Sequence, residues 1–418
     1  MLKIQEFIDC FDTIEEANKY LRQNLDIGSE TTTVYEMNHS YKTIAYRPLP
    51  KANMSDPLVK EAHCLLLDED ADIMARAWDY PTVVKNQKEL IKEFTFDQDS
   101  IAEELPDGGI VVIYNIEGKW RVGSPNSPVG DENPPGLSLP SFSYSRLVKL
   151  FLSTLHDEWD RPFENINPML CFVFSFVCEF ANNVMPIRKS QLYLMSIINL
   201  DNGKELNDKL VRSQARLLRV QTLQQKVVRT NSDLSKYLRA MRTLCPGLML
   251  RNNLGNRVMI ENPIYSCMKS AIGAGNRVRP IHIAKLLTMI RDRRDMEVIT
   301  TAYPDTKHML DLFWKTRVEI WQELLKLWKV AEPFRNNMQA FATTIQYHPL
   351  NYILFKVRDL NVDIRSEVEA LKPTKLERLT REKYEKEFDS AARLLKFMRG
   401  SIDNVREEGS IPFCQEGD

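Results

Sequence analysis

Residues Leu170–Val177 read LCFVFSFV, and this run constrains the fold more than any other stretch. It is apolar at both odd and even positions, with one serine. A strand that shows one face to water alternates, and this one does not, so it suits a central strand buried on both sides. Its length is well below the roughly 20 residues a membrane-spanning helix needs.

The surrounding pattern, from about 61 to 265, is mainly β. Residues 64–67 are an apolar run. Residues 110–114 and 120–122 are β-rich and joined by 115–119 with Gly118 in the turn, a hairpin pattern; 248–251 and 257–260 repeat it around Gly255. Residues 192–198 fit a strand beside the central run, and 128–140, with several Pro and Gly, must be loop. Before this region, helical patterns at 4–11 and 14–25 precede a strand at 32–37 and a proline-bearing linker at 47–57. Within it lies a helical stretch at about 204–242. There Leu210, Leu217, Val220, Val227, Leu234 and Leu238 recur at helical spacing, and Thr230-Asn231-Ser232-Asp233 breaks the stretch and caps a second helix.

From about 275 to 400 the pattern is α. Pro304-Asp305-Thr306 starts a helix whose stripe is Leu310, Trp314, Val318, Trp321, Leu325 and Trp328, and 375–398 is a charged helix ending at Gly400. The expected architecture is therefore α+β. An N-terminal α/β cap (1–60) joins a domain of mainly antiparallel sheets (61–270), followed by an α-helical C-terminal domain (271–400) and a flexible tail (401–418).

The length of 418 residues and an apolar share of 43% are ample for such cores. Lys and Arg total 56 against 57 Asp and Glu, so nucleic-acid affinity must come from local basic patches. The seven cysteines are scattered without a CxxC pair, and the six histidines lack HExxH spacing. That pattern predicts a reduced, cytoplasmic chain with no disulfide framework and no metal site. Residues 1–21 lack the basic and apolar regions of a signal peptide, so a soluble protein is expected, with no membrane partner.

One series of motifs is specific. Glu104-Leu105-Pro106-Asp107-Gly108-Gly109 leads into the apolar run 110–114, then Gly118-Lys119-Trp120-Arg121-Val122. Upstream, 61–79 carries Ala75-Arg76-Ala77. Downstream come Phe172-Val173-Phe174-Ser175, then Leu192-Tyr193-Leu194 with Asn202-Gly203-Lys204-Glu205-Leu206. Pro246-Gly247-Leu248-Met249 follows, and then the run Gly255 to Tyr265. Ala302-Tyr303-Pro304-Asp305 precedes the Trp-rich helix. In this order they resemble the phage-type RNA ligases, over about residues 60–330. The resemblance implies a covalent nucleotidyltransferase (ATP-grasp-like RNA/DNA ligase) fold and a bacteriophage gene product in the host cytoplasm.

It also implies which groups the chemistry needs. In that family a lysine amine attacks the α-phosphate of ATP; Leu105 stands at that position. Carboxylates hold a divalent metal; Ser175 and Pro246 stand there. Two cations of the last strand face the phosphates; Met259 and Glu261 stand there, and Ser124-Pro125 replaces a Thr-Arg pair. Asp107-Gly108 survives, although Asp-Gly is a common turn dipeptide. Lys119 and Lys92 are the displaced amines closest in sequence. These losses predict a pseudoenzyme with no cofactor.

What remains is grip on a strand. Residues 212–242 hold eight cations, among them Arg212, Arg216, Arg219, Lys226 and Arg229, against the single acid Asp233. Arg212, Arg216 and Arg219 are expected on one helical face, though such a face is often only solvated. Lys269, Arg277 and Arg279 flank Gly273-Ala274-Gly275, and Arg291, Arg293 and Arg294 follow. Lys119 and Arg121 lie on the first hairpin. Trp120, Tyr193 and Tyr265 could stack bases, whereas the indoles at 314, 321 and 328 read as core. The expectation is an RNA-binding protein of low sequence specificity, for single-stranded RNA or mRNA, with phage protein partners left open. Two alternatives stand beside it: an active ligase with relocated groups, and a structural or assembly protein.

Overall fold

The computed structural model describes residues 2–35, 40–125, 127–134, 142–179, 181, 184–185, 187, 189–241, 244–272, 287, 290, 293–393 and 395. The chain divides into two compact units, Met1–Met241 with Cys245–Tyr265, and Arg242–Leu244 with Ser266–Asp418. It is α+β, with largely antiparallel sheets in the first unit and helices in the second.

The first unit opens with α1 (Lys3–Ile8), α2 (Ile14–Asn24), β1 (Ile27–Tyr35), β2 (Ser40–Pro48), α3 (Pro57–Glu61), β3 (Leu65–Leu67) and β4 (Ile73–Arg76). These four strands form one antiparallel sheet in the order β1-β2-β3-β4. Because β2 pairs with β3, the segment up to residue 60 shares its sheet with residues 65–76. The Thr13 hydroxyl accepts from Glu16 N–H and starts α2. Ile4, Ala17, Leu21, Tyr46, Val59 and Leu65 bury the helices against the sheet. Local bounds differ from the sequence reading: α1 stops at Ile8, β1 starts at Ile27, and Arg47 and Pro48 belong to β2 rather than to a linker.

The chain continues through β5 (Thr82–Val84), α4 (Gln87–Glu93), β6 (Ile101–Glu104), β7 (Gly109–Ile116), β8 (Lys119–Gly123), α5 (Tyr144–Ser153), β9 (Leu170–Val177), β10 (Gln191–Asn199) and β11 (Lys204–Glu205). It then runs through α6 (Asp208–Leu217), β12 (Gln221–Thr222), β13 (Gln225–Val227), α7 (Asn231–Ala240), β14 (Gly247–Arg251), β15 (Arg257–Glu261) and α8 (Pro263–Ile272). The second sheet has the order β11-β10-β9-β7-β8, with β12 parallel to β10. As its composition predicts, β9 is central. Phe172, Phe174 and Phe176 share one core with Val148 and Leu152 of α5 and Val211 and Ala215 of α6, while Cys171 and Val173 share another with Ala45, Leu66, Ala75 and Trp78 of the first-sheet region.

The third sheet has the order β13-β6-β14-β15-β5. Its core face (Val84, Ala102, Leu248, Leu250, Val258, Ile260) is covered by Leu90 of α4 and Leu234 of α7. Both hairpins turn on glycines at positive φ, Gly118 at +82° and Gly255 at +80°, a region that only glycine enters freely.

The expected helix over 204–230 is corrected. α6 ends at Leu217, where Val220 N–H bonds Ala215 C=O and Arg219 N–H bonds Arg216 C=O. Arg219 takes φ +54°. This is a Schellman termination with arginine in the left-handed position. Two short edge strands follow, and α7 begins at the Thr230 cap as expected, with Asp233 N–H donating to its hydroxyl. The apolar spacing was misleading. Leu210, Leu217 and Val227 are exposed, and α6 packs through Val211 and Ala215.

The second unit contains α9 (Arg293–Ala302), α10 (Lys307–Ala331), α11 (Met338–Ile345), α12 (Asn351–Leu360), α13 (Ile364–Glu369) and α14 (Pro373–Lys383). The 25-residue α10 is the spine against which α11, α12, α13 and α14 pack. It begins after Pro304-Asp305-Thr306, as expected. Its buried line is Met309, Phe313, Thr316, Ile320 and Leu324. Of the expected stripe only Leu310 is buried. Trp314, Val318, Trp321, Leu325 and Trp328 lie half-buried at the stripe's edge, where Trp328 meets Phe341 edge-on at 6.1 Å. The expected helix at 375–398 is broken at Tyr384 (φ −134°, ψ 48°), whose hydroxyl hydrogen-bonds Glu319 while Lys315 lies over its ring. The tail 401–418 and Gly400 lie outside the described residues. Among the described residues no helix is long and apolar enough to cross a membrane.

Candidate functional site

The second and third sheets meet at the four residues between β6 and β7. Leu105 N–H donates to Gly247 C=O at 3.1 Å. The Asp107 carboxylate accepts from Met185 N–H at 2.8 Å and from the Tyr265 hydroxyl at 2.5 Å. A Cβ on Gly108 would stand 2.6 Å from Phe176 C=O and 2.8 Å from Ser175 Oγ, and one on Gly247 2.3 Å from Ile260 C=O. Only glycine permits these approaches. The motif order in the sequence therefore corresponds to one place in space. Leu105 lies beside the start of β14, which follows Pro246. Gly247 stands opposite Glu261 in the β14–β15 register, and Ser175 is a neighbour of Gly108.

The chemistry available there differs from what a nucleotidyl transfer demands. Leu105 carries no lone pair. Ser175, 3% exposed, faces Ile110 and Tyr193 across its strand pairs, and one neutral hydroxyl is a poor replacement for a metal-binding carboxylate. Pro246 offers only its carbonyl, which accepts from Asn262 N–H at 3.0 Å. Ser124 donates to Glu132 at 2.6 Å. Asp107 uses its carboxylate to tie the turn together, as a structural aspartate would. Among the described residues no group of three His, Cys, Asp or Glu side chains is placed to hold a metal. Neither displaced lysine fills the gap. Lys119 begins β8, paired with Ile116 at the far end of β7 from Gly109, about 23 Å away at about 3.3 Å per residue. Lys92 sits on α4, which covers the opposite face of the third sheet. Among the described residues, those at this junction supply neither the amine of a lysyl-adenylate nor the carboxylates that would hold its metal.

The face of the third sheet turned away from its core carries cross-strand rows. Gln225, Glu103, Met249, Met259 and Val83 form one; Val227, Ile101, Arg251 and Arg257 form the next. Glu103 is 5% exposed and accepts from Gln225 Nε2 at 2.8 Å. Arg251 pairs with Asp208 of α6 and lies 3.9 Å from Glu103. Arg257 pairs with Glu205 of β11 at 2.5 Å and lies 4.8 Å over the Trp78 ring. Burial pushes the Glu103 carboxyl up, and Arg251 and Arg257 only partly offset this. For the Arg251 guanidinium, burial acts downward, and Glu103, Asp208 and Glu205 together outweigh it.

Within the first unit, the described cations expected to grip RNA do not form one patch. Lys209, Arg212, Ser213 and Arg216, with Asp208, line a shallow groove of about 500 Å³ on α6. Lys209 was missed in the sequence, although its spacing from Arg212 and Arg216 along a helix capped by Asn207 places all three on one face. Arg219 is not on that face. Its left-handed backbone turns it toward α5, where Nη1 donates to Leu155 C=O at 2.9 Å, and it lines a separate groove of about 400 Å³ with His156 and Arg161. Lys226 is exposed on the edge strand β13, and Arg229 Nε donates to Gln98 C=O at 3.3 Å. Lys119 and Arg121 belong to β8, at the opposite edge of the second sheet from β11, and partial burial lowers the Arg121 pKa. Lys269 is exposed on α8 in the second unit, as is Arg293 on α9. Arg277, Arg279, Arg291 and residues 273–275 lie outside the described residues, as does the side chain of Arg294.

The stacking expectations for Trp120 and Tyr265 are corrected as well. Trp120 is 8% exposed, wedged against Phe163 and Phe172 at 5.1 and 6.0 Å. Tyr265 is also 8% exposed, with its hydroxyl on Asp107. Tyr193 is half-buried and hydrogen-bonds Gln191.

Compared with known proteins, the chain matches no family model and no curated sequence. Among solved structures it is similar to an alanine-substituted RNA ligase of Naegleria gruberi with ATP and Mn (14% identity, 46% of this chain, 54% of that one, TM-score 0.33). It is also similar to an archaeal ATP-dependent RNA ligase in two forms: form 1 at 9% identity, 98% and 83% coverage and TM-score 0.41, and form 2 at 9%, 72% and 74%, and 0.41. The chain spans about half the length of the Naegleria gruberi ligase.

Proposed function

We propose that this chain is a non-catalytic RNA-binding protein on a ligase-like nucleotidyltransferase scaffold. The single observation that carries the reading is Leu105. Its backbone is held between Gly247 and the Asp107-Gly108 turn, at the junction of two sheets where the motif order calls for an amine. Ser175, Pro246, Met259 and Glu261 surround that junction in place of carboxylates and cations. One missing group could be replaced from elsewhere; a nucleophile, two acids and two cations missing from one locus could not.

The strand-binding element is α6. Lys209, Arg212 and Arg216 rise along one exposed face, and guanidiniums neutralise phosphates without reading bases. Low sequence specificity follows, with single-stranded RNA or mRNA as the ligand. Lys226, Arg229, Lys269, Arg219, Lys119, Arg121, Arg277 and Arg279 are secondary contributors. On the sequence resemblance, the chain acts as a phage product on transcripts in the host cytoplasm.

The test is a salt titration of binding to labelled single-stranded RNA. The logarithm of the affinity should fall linearly with log salt, and the double variant Arg212→Glu, Arg216→Glu should flatten the slope by about 1.4, at about 0.7 per phosphate contact. Absence of binding at physiological salt would favour a structural or assembly role instead.

A further inference from the structure

The outer face of the third sheet, at the hairpin end of β14 and β15 away from Gly247 and Leu105, holds two guanidiniums side by side. Arg251 and Arg257 are register partners across β14 and β15, and their side chains are 17% and 9% exposed. Like charges directly opposite each other are unfavourable, and buried ions require partners. The partners come from three separate elements: Glu103 from β6, Glu205 from β11 and Asp208 from α6. None lies on the strands that carry the arginines. The acids reach in from around the pair and tie the β11 edge of the second sheet to the third.

The internal match is incomplete. Arg251 Nε is buried and finds no acceptor among the described residues. Glu103 stands 3.9 Å from the Arg251 guanidinium and takes its closer hydrogen bond from Gln225. Two planar forks of N–H donors with a donor to spare suit a polyanion better than they suit three separate carboxylates.

We propose that Arg251 and Arg257 form a polyphosphate-type anion site that the chain fills with its own Glu103, Asp208 and Glu205 carboxylates, which keeps nucleotides out. The proposal rests on the ligase-like reading only for the choice of a nucleotide as the excluded ligand. A nucleotide entering would strand three buried or half-buried acids beside its own phosphates, so exclusion is electrostatic as well as steric. The same acids clamp α6. Asp208 lies in its first turn, and Arg212 donates to the Gln225 carbonyl at 2.6 Å while the Gln225 amide donates to Glu103. The plug thus also fixes a cation of the RNA-facing helix.

The experiment is isothermal titration of the full chain with ATP and with inorganic pyrophosphate, each with and without magnesium. The wild type should show no saturable binding below millimolar ligand. The variant Glu103→Gln, Asp208→Asn should bind pyrophosphate at one site, roughly tenfold or more tighter than wild type. Should that variant fail to fold by circular dichroism, Asp208→Asn alone, at a more exposed position, should shift affinity in the same direction. One-site micromolar binding of ATP to the wild type would overturn the proposal, and so would a folded variant no better than wild type. Non-covalent ATP binding would sink this proposal and leave the non-catalytic reading standing, whereas a covalent adduct would sink that reading.

Discussion

Asp107 fastens the turn between the second and third sheets. Its two carboxylate oxygens accept from Tyr265 and from the Met185 amide, so it joins the β6–β7 turn to the start of α8 and to residue 185. Replacing it with alanine would remove both of these bonds, a loss of about 1–3 kcal/mol each where the donor is buried. Urea unfolding of Asp107→Ala should therefore show a fall of a few kcal/mol, while Leu105→Ala should cost less, because Leu105 contributes its amide and a half-buried side chain. An Asp107→Ala variant as stable as wild type would contradict the fastening role. At this scale the sequence was informative about absence. That Leu105 lacks an amine is plain from its letter, but that Trp120 and Tyr265 are packed away depended on neighbours more than 40 residues distant and was not legible.

At the scale of elements, legibility followed locality. The two hairpins were readable because a glycine at positive φ marks the turn and the flanking residues set the strands. The central β9 was readable because its composition leaves no wet face. The region from 204 to 230 was misread because strands of two or three residues carry no period, and apolar residues at helical spacing happened to continue past the true helix end. The corrected α6 faces predict a sharp contrast. Val211→Asp puts a charge into the core beside Leu218 and Phe172 and should cost several kcal/mol or prevent folding. Leu210→Asp, on the exposed face next door, should stay within about 0.5 kcal/mol of wild type. Thermal melts of the pair check this, and equal losses would restore the original assignment of faces.

For the whole molecule, a near-neutral charge balance rules out binding through a bulk positive field, so the basic face of α6 has to act locally. The layout also explains what sequence patterns could not reveal. The third sheet is assembled from segments between residues 82 and 261, and its cross-strand rows exist only once those segments pair. The charged cluster of Glu103, Arg251 and Arg257 is a product of that register, and no spacing along the chain announces it.

The central claim is that this scaffold grips RNA without covalent nucleotide chemistry. Intact-protein mass spectrometry after incubation with ATP and magnesium or manganese tests it most directly. The account predicts an unchanged mass for the wild type at every pH and metal concentration tried. A species heavier by one AMP whose bond is acid-labile and base-stable, as a lysine phosphoramidate is and a serine phosphoester is not, would reveal a working amine and contradict it.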